Sequence, residues 1–161
     1  MVGKLNTEEI EEVLTKNIIG RIGCHHNGRT YIVPISYAYE EESACIYAIS
    51  QEGLKLDMMR KNPKVCFEVD TLRDMANWKS VIAWGLFEEV KDLEERHKAL
   101  KFLLDRTLPL ISSVTTHFSR TWPFINEDDV EIIKGIVFRI HTTEKSGRFE
   151  ENDNPPKFFT D

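Results

Sequence analysis

Apolar and polar residues alternate along most of this chain with the two-residue period of β-strands. The exception at the start is a short amphipathic segment at about 7–16, which predicts a helix with one apolar stripe. Asn6 and Glu9 have the spacing of a capping box at the beginning of that helix. The apolar runs that follow are rich in β-branched and aromatic residues, so they predict a sheet.

The predicted strands are separated by turn residues. Asn27-Gly28 between the first two runs predicts a hairpin, and Gly85 inside the fifth predicts a bulge or bend. Two further helices are predicted at about 53–61 and 93–106, the first of them ending at Asn62-Pro63. The strand-like runs lie at about 18–26, 29–39, 44–49, 64–70, 78–91 and 135–141.

The order of these elements indicates the fold class. Helices do not alternate with strands, which favours a mainly antiparallel sheet or small β-barrel with peripheral helices. A doubly wound nucleotide fold is not expected, because neither glycine-rich phosphate motif of that class occurs. We expect residues 1–146 to form one domain that includes an irregular stretch at 107–130. Residues 147–161 are expected to form a polar, mobile tail.

The net charge of the chain excludes two classes of binding partner. The 161 residues include 21 Lys and Arg against 27 Asp and Glu, a formal net charge of −6. Nonspecific binding to nucleic acid or to an anionic membrane surface needs a basic face, so neither partner is expected. No run is long and apolar enough to predict a membrane span. Three cysteines inside strand-like runs predict buried free thiols, and with them a cytoplasmic protein.

One short window carries the features of an anion site. Between a strand and a helix, Ser50 offers a hydroxyl, Gly53 permits close approach of the backbone, and Lys55 supplies a positive charge. The same residues also fit an ordinary strand-to-helix turn in which Ser50 is a cap and Lys55 is solvated. Arg60 and Lys61 would add charge near a phosphate, or are equally well explained as solvated cations at a helix end.

Three motifs, taken in order, identify a family. They are GRIGCHHNGRTYIVPISYAY, IYAISQEGLKLDMMRKNPKVCFEVD and WKSVIAWGLFEEV. Over roughly residues 8–143 the chain resembles the pyridoxamine 5′-phosphate oxidase-like FMN-binding split-barrel superfamily, within it the branch related to nitroimidazole-resistance proteins. The resemblance implies a split β-barrel that forms a homodimer with FMN at the subunit interface.

The resemblance also implies where FMN lies. The flavin ring would follow Val33-Pro34-Ile35-Ser36, and Ser50 and Lys55 would hold the phosphate. A strand that carries a proline is typical of an edge or bulge with free backbone groups, although a plain core strand explains the same residues. The strand that crosses nearby and closes the site would be Trp78-Lys79-Ser80-Val81.

The chain departs from many relatives at one position. Those relatives have a histidine immediately before the serine that matches Ser50, on the substrate side of the flavin, whereas here the residue is Ile49. This argues against carrying over nitroimidazole reduction and leaves no acid or base at the matching place. His117 and Trp122, in the irregular stretch, are candidates for substrate contact or simply pack a loop.

The resulting hypothesis is an FMN-dependent, flavin reductase-like oxidoreductase. It would take electrons from a reduced nicotinamide or another donor and pass them to a small organic acceptor. A non-catalytic flavin-binding or sensor protein, and a haem-binding split-barrel protein, stay open as alternatives. No metal site is expected, since Cys24 and His26 have no second cluster of ligands at a suitable spacing.

Overall fold

The computed structural model describes residues 1–107 and 133–152. Within these ranges the chain forms seven strands and three helices. In chain order they are β1 Val2–Lys4, α1 Thr7–Lys16, β2 Ile19–His26, β3 Arg29–Glu40, β4 Cys45–Ser50, α2 Leu54–Lys61, β5 Lys64–Asp74, β6 Asn77–Glu89, α3 Leu93–Thr107 and β7 Ile136–Glu150.

The sheet closes on itself. Its strand order is β1-β7-β4-β3-β2-β5-β6, and a further pairing of β7 with β6 joins the last strand back to the second. Six strands therefore form a ring in the order β2, β3, β4, β7, β6, β5, and every pairing in it is antiparallel. This confirms the prediction of a β-barrel with peripheral helices.

Local sequence signals explain several of the element boundaries. Asn6 and Glu9 form the predicted capping box at the start of α1. Asn27 and Gly28 both have positive φ, as a tight hairpin between β2 and β3 requires. The register of β6 against β7 shifts at Gly85, where an added Cβ would lie 2.4 Å from the carbonyl oxygen of His141. The bulge predicted at this glycine is therefore confirmed.

The core divides into two clusters. The larger fills the barrel and includes the fully buried side chains of Tyr37, Phe67 and Phe138 together with Leu56 and Met59 of α2. The smaller lies between α3 and the outer face of the sheet, where it is formed by Val90, Ala99, Leu100, Leu104, Ile133 and Val137. Because α2 and α3 each bury an apolar face, they cover the barrel at two separate places.

Two boundaries differ from the sequence-based expectation. The polar residues at 71–77, predicted as a loop, continue β5 and β6 into a long hairpin, whose exposed strands have no apolar alternation to reveal them. β7 runs to Glu150 rather than 141, because its second half pairs with both β1 and β6. The first residues of the predicted tail, 147–150, are thus paired strand. Residues 153–161 of the predicted tail and 108–130 of the predicted irregular stretch lie outside the described residues.

The helices are all short or polar on one side. None of those in the described part of the chain is long and apolar enough to cross a membrane. Leu93, at the start of α3, is 81% exposed, whereas Leu100 and Leu104 are buried. The apolar face of α3 therefore begins about two turns into the helix.

Candidate functional site

Over the segment Val33–Ser36, strand β3 is paired along only one of its two edges. These residues pair with β2, from Ile22↔Val33 to Ile19↔Ser36. The pairing of β3 with β4 covers only Tyr37 to Glu40. On the β4 side, the backbone of Val33–Ser36 therefore has no strand partner among the described residues. Backbone polar groups at such an opening are available for hydrogen bonds to a ligand.

The side chains of this segment point in two directions. Ile35 is buried in the barrel core, whereas Pro34 is exposed and Val33 and Ser36 are half-buried. Pro34 has no backbone N–H to lose, so it suits a strand whose outer edge is unpaired. Ile35 contributes to the core, and the other three remain accessible to a ligand through side chain or backbone.

The loop from β4 to α2 presents the predicted anion-binding residues. Ser50, the last residue of β4, donates its hydroxyl proton to the Gln51 carbonyl at 2.8 Å. The N-cap of α2 is Gly53, which supplies no side-chain acceptor for the first turn. The alternative interpretation, in which Ser50 caps this helix, is therefore wrong. The N–H groups of the first turn of α2 carry a partial positive charge with no side-chain cap.

Lys55 lies in the first turn of this helix and is half-buried. Burial lowers the pKa of its ammonium group, and the thiol of Cys24 has the opposite, smaller effect. No carboxylate within the described residues forms an ion pair with it. A desolvated cation without a counter-ion is energetically unfavourable, and such groups concentrate at functional sites.

Arg60, one and a half turns further along α2, is held very differently. Its terminal nitrogens donate to the two carboxylate oxygens of Glu52 at 2.7 and 2.8 Å, and its Nε donates to Glu89 at 2.5 Å. These two carboxylates raise the pKa of the guanidinium group. Arg60 therefore connects the loop before α2 to the end of β6, and its charge is already paired. Lys61 beside it is exposed.

The third predicted segment, Trp78–Val81, lies on the far side of the barrel. β6 is separated from β3 by two strands in either direction around the ring. Three strand spacings amount to about 14 Å along the sheet. The Val81 side chain is buried in the core, the Trp78 indole donates to Glu150 at 3.1 Å, and the Ser80 hydroxyl donates to Glu68 at 3.3 Å. One copy of the chain does not bring this segment to Val33–Ser36.

An apolar groove of about 650 Å³ lies on the outer face of the barrel. Gly23 forms part of its wall, and the exposed side chains of Ile32, Trp84 and Leu86 surround it. Its rim is charged, since Arg21 forms ion pairs with Glu68 and Asp70. An exposed apolar surface of this kind marks an interaction site.

Comparison with known proteins identifies the family of this chain. The family model described as pyridoxamine 5′-phosphate oxidase matches residues 6–149. The chain belongs to this family. A second match is an uncharacterised protein of Rhizobium meliloti (strain 1021), 32% identical over 93 residues, which are 58% of this chain. The chain spans 60% of the length of that relative.

Two solved structures have the same fold. A protein of Mesorhizobium loti described as FAD-binding is 32% identical, with a TM-score of 0.70 over 94% of this chain and 99% of its own. A proposed 5-nitroimidazole antibiotic resistance protein of Bacteroides thetaiotaomicron is 18% identical, with a TM-score of 0.68 over 92% and 87%. The family match confirms the resemblance predicted from the motifs, and the solved structures confirm the split β-barrel.

Sequence reasoning missed the groove residues of this family member. The signal was present, because Trp84 and Leu86 alternate with the buried residues Ala83 and Phe87. A strand that is apolar on both faces is normally covered on both. Periodicity therefore predicts the strand, whereas its second apolar face is the separate signal of an interaction surface.

The three predicted substrate contacts have different outcomes. Ile49 is half-buried and packs against the smaller core cluster, beside α3. His117 and Trp122 lie outside the described residues. The cysteines are free, as expected, with Cys24 and Cys45 buried but Cys66 only partly so. Within residues 1–107 and 133–152, no group of three His, Cys, Asp or Glu side chains could hold a metal ion.

Proposed function

We propose that this family member is a homodimeric, cytoplasmic, FMN-dependent oxidoreductase that acts on a small organic acceptor. The observation that carries the proposal is Lys55, a half-buried cation in the first turn of α2 without a carboxylate partner among the described residues. A phosphate group at this position would provide the missing counter-charge. It would also accept hydrogen bonds from the uncapped N–H groups of the same turn.

The flavin ring is proposed to lie along the open edge of Val33–Ser36. Lys55 is close enough to Cys24 for the two groups to affect each other's ionisation. Cys24 pairs with Tyr31 on β3, two residues before Val33. The candidate phosphate site and the open edge are thus neighbours across β2 and β3. A mononucleotide with its phosphate at Ser50 and Lys55 would extend toward that edge.

A second copy of the chain is proposed to complete the site. Trp78–Val81 lies three strand spacings from Val33–Ser36 around the barrel, so the copy of this segment that borders the flavin is proposed to come from a second protomer. The apolar groove around Gly23 supplies a surface for such pairing, since Ile32 is 65% exposed and Leu86 is 44% exposed. Arg21, Glu68 and Asp70 put both signs of charge on this face, so two copies related by a two-fold axis can pair opposite charges across it.

The chemistry divides between the cofactor and the chain. When bound, the flavin supplies the redox step, accepting electrons from a reduced nicotinamide or another donor and passing them to the acceptor. The residues of this chain bind its phosphate, orient its ring through the backbone of β3 and exclude water at the interface. Ile49 in place of a histidine leaves this position without an acid or base, so nitroimidazole reduction is not part of the proposal.

FMN is favoured over FAD by the charge at the site. Lys55 offers one desolvated positive charge, and Arg60 is already neutralised by Glu52 and Glu89. A single terminal phosphate monoester matches one cation and one helix start. The Mesorhizobium loti protein is described as FAD-binding, so the identity of the flavin is the first quantity to measure.

The test begins with the absorption spectrum of the purified protein, before and after FMN is added. We expect flavin bands and the release of FMN on denaturation. Released FAD would overturn the choice of FMN, a Soret band would indicate haem instead, and a protein that stays colourless with added FMN would overturn the proposal. Anaerobic bleaching by NADH or NADPH, then reoxidation by an acceptor, is expected for an enzyme. A bound flavin that no donor reduces would indicate a non-catalytic binder.

A further inference from the structure

A cysteine, a histidine and a glutamate meet on the outer face of the barrel, away from the open edge of β3. The Sγ of Cys45 lies 3.3 Å from Nδ1 of His141, and Nε2 of the same ring lies 2.5 Å from a carboxylate oxygen of Glu88. The three residues come from β4, β7 and β6. Cys45 and His141 are directly paired across neighbouring strands, so the sheet itself holds the thiol against the ring.

The carboxylate determines which nitrogen of the ring carries the proton. Arg139 donates two hydrogen bonds to Glu88, and together with His141 it lowers the pKa of that carboxyl to about 2. Glu88 is therefore ionised near neutral pH and only accepts hydrogen bonds. Nε2 of His141 must donate to it, which leaves Nδ1 of the neutral ring as the acceptor for the thiol proton.

The surroundings of the thiol are mixed in charge. On β3, Glu40 accepts a hydrogen bond from Tyr47 of β4, and Arg139 of β7 also reaches Glu95 of α3 at 3.4 Å. Cys45 is 3% exposed, and its sulfur also lies 3.5 Å from the Ser43 carbonyl oxygen, an alternative acceptor for its single proton. The neighbouring turn at 41–43 is exposed. The low exposure of Cys45 favours a small reagent over a large one.

We propose that Cys45 is a site of oxidation by hydrogen peroxide, with His141 as the base and Glu88 as a positioning residue. A nucleophile, a base within hydrogen-bond reach and an orienting carboxylate are the arrangement that activates a thiol. Peroxide is the oxidant that matches a nearly buried sulfur. The site does not depend on the proposed flavin function.

The reaction balances in one step. His141 takes the thiol proton, and the sulfur attacks one oxygen of the peroxide. An S–O bond forms as the O–O bond breaks, so the sulfur loses two electrons to become a sulfenic acid and the peroxide is reduced. The proton held by His141 passes to the departing hydroxide, which leaves as water.

The other two cysteines provide an internal comparison. Cys66 is more exposed than Cys45, and burial raises the pKa of its thiol. Burial likewise raises the pKa of the Cys24 thiol, which donates to the Tyr31 carbonyl at 3.6 Å. Neither has a histidine within hydrogen-bond distance in the described structure. Exposure alone would make Cys66 the first to react, whereas the proposal makes it Cys45.

The experiment treats the whole folded protein with hydrogen peroxide for timed intervals, removes the peroxide, and then unfolds the protein in dimedone, which traps sulfenic acids at every cysteine once access is equal. Mass spectrometry of peptides then gives the rate of adduct formation at each cysteine. In the wild type we expect Cys45 to be labelled faster than Cys66. This comparison needs no variant, so it does not depend on whether a variant folds. Labelling of Cys66 first, or at an equal rate, would overturn the proposal.

Variants then separate the roles of the two partners. His141→Gln is expected to slow labelling of Cys45 at least about tenfold, as loss of a general base does. Glu88→Gln removes a negative charge beside the Cys45–His141 pair, so we expect the profile of labelling rate against pH to shift to lower pH. Glu144→Gln, an exposed carboxylate on the same strand as His141, is the control and should change neither quantity. An unchanged rate in His141→Gln would overturn the assignment of the base, and an unshifted profile in Glu88→Gln would overturn its positioning role.

Discussion

Lys55 and Arg60 lie on the same two-turn helix, yet Arg60 is bound by Glu52 and Glu89 whereas Lys55 has no carboxylate partner among the described residues. An acidic protein with a net charge of −6 repels anions in general. Capture of a phosphate then depends on a local cation that is not already neutralised. The contrast between these two side chains identifies which of the two cations is available.

Replacing Lys55 tests this directly. Lys55→Ala should weaken FMN binding at least about tenfold, because a charge-assisted contact with phosphate contributes on the order of 1.5–3 kcal/mol. Quenching of flavin fluorescence on titration measures the dissociation constant. Lys61→Ala, which removes an exposed cation from the same helix, is the matched control and should have little effect. Equal affinity in wild type and Lys55→Ala would exclude the phosphate role.

The dependence of FMN affinity on pH follows from the burial of Lys55. Burial lowers the pKa of the free ammonium group, and a bound phosphate would raise it again. Affinity should therefore be constant below the pKa of the free protein and fall as the pH rises above it. Lys55→Arg keeps its charge throughout this range. The alkaline loss of affinity should be much smaller in that variant, and an identical loss in both proteins would contradict the argument.

Arg60 is predicted to act on the same site through Glu52. Arg60→Gln leaves the carboxylates of Glu52 and Glu89 unpaired beside the loop that carries Ser50, so FMN should bind severalfold more weakly. If repulsion by Glu52 is the cause, Glu52→Gln combined with Arg60→Gln should recover part of the affinity. Titrations of both single variants and the double variant measure this coupling. Strictly additive losses would show that Arg60 acts by another route.

The sequence predicted this helix and the local features around it, because the relevant signals lie within a few residues of one another. The capping box of Asn6 and Glu9 and the Asn27-Gly28 hairpin are of the same kind. The partner of Arg60 on β6 was not predictable, since Glu89 is 29 residues away along the chain. Cys45 and His141 are 96 residues apart in the sequence, and their contact depends on the register of β4 against β7. Periodicity indicates that strands exist, but it does not fix which residues pair.

Stability in acid should depend on Glu88. Its pKa is lowered to about 2 by hydrogen bonds from Arg139 and His141, from an ordinary value of 4.5. Ionised Glu88 therefore stabilises the fold above pH 4.5, and this contribution is lost as the pH falls toward 2. Since the side chain is 48% exposed, solvent screening reduces it to about 1 kcal/mol or less. In Glu88→Gln, the free energy of unfolding by urea should differ from the wild type at pH 7 and converge with it near pH 2. A difference that stays constant across this range would contradict the linkage.

The dimer proposal makes a prediction that links assembly to the cofactor. Ile32 is 65% exposed in one protomer and faces the apolar groove. Ile32→Asp should leave the barrel folded, because the side chain contributes little to the core. An unpaired carboxylate buried at the interface costs at least about 2 kcal/mol, or about thirtyfold in the dimer dissociation constant. Sedimentation velocity over a range of concentrations measures that constant.

Flavin binding should weaken in the same variant if Trp78–Val81 is supplied by the second protomer, even though Ile32 is not one of the proposed cofactor contacts. Leu93→Asp places the same charge at a residue that is 81% exposed on α3, and it should change neither assembly nor flavin affinity. A monomeric Ile32→Asp protein that binds FMN as tightly as the wild type would show that one copy contains the whole site. The segment Trp78–Val81 would then have no part in it, since within one protomer it lies across the barrel from the open edge of β3.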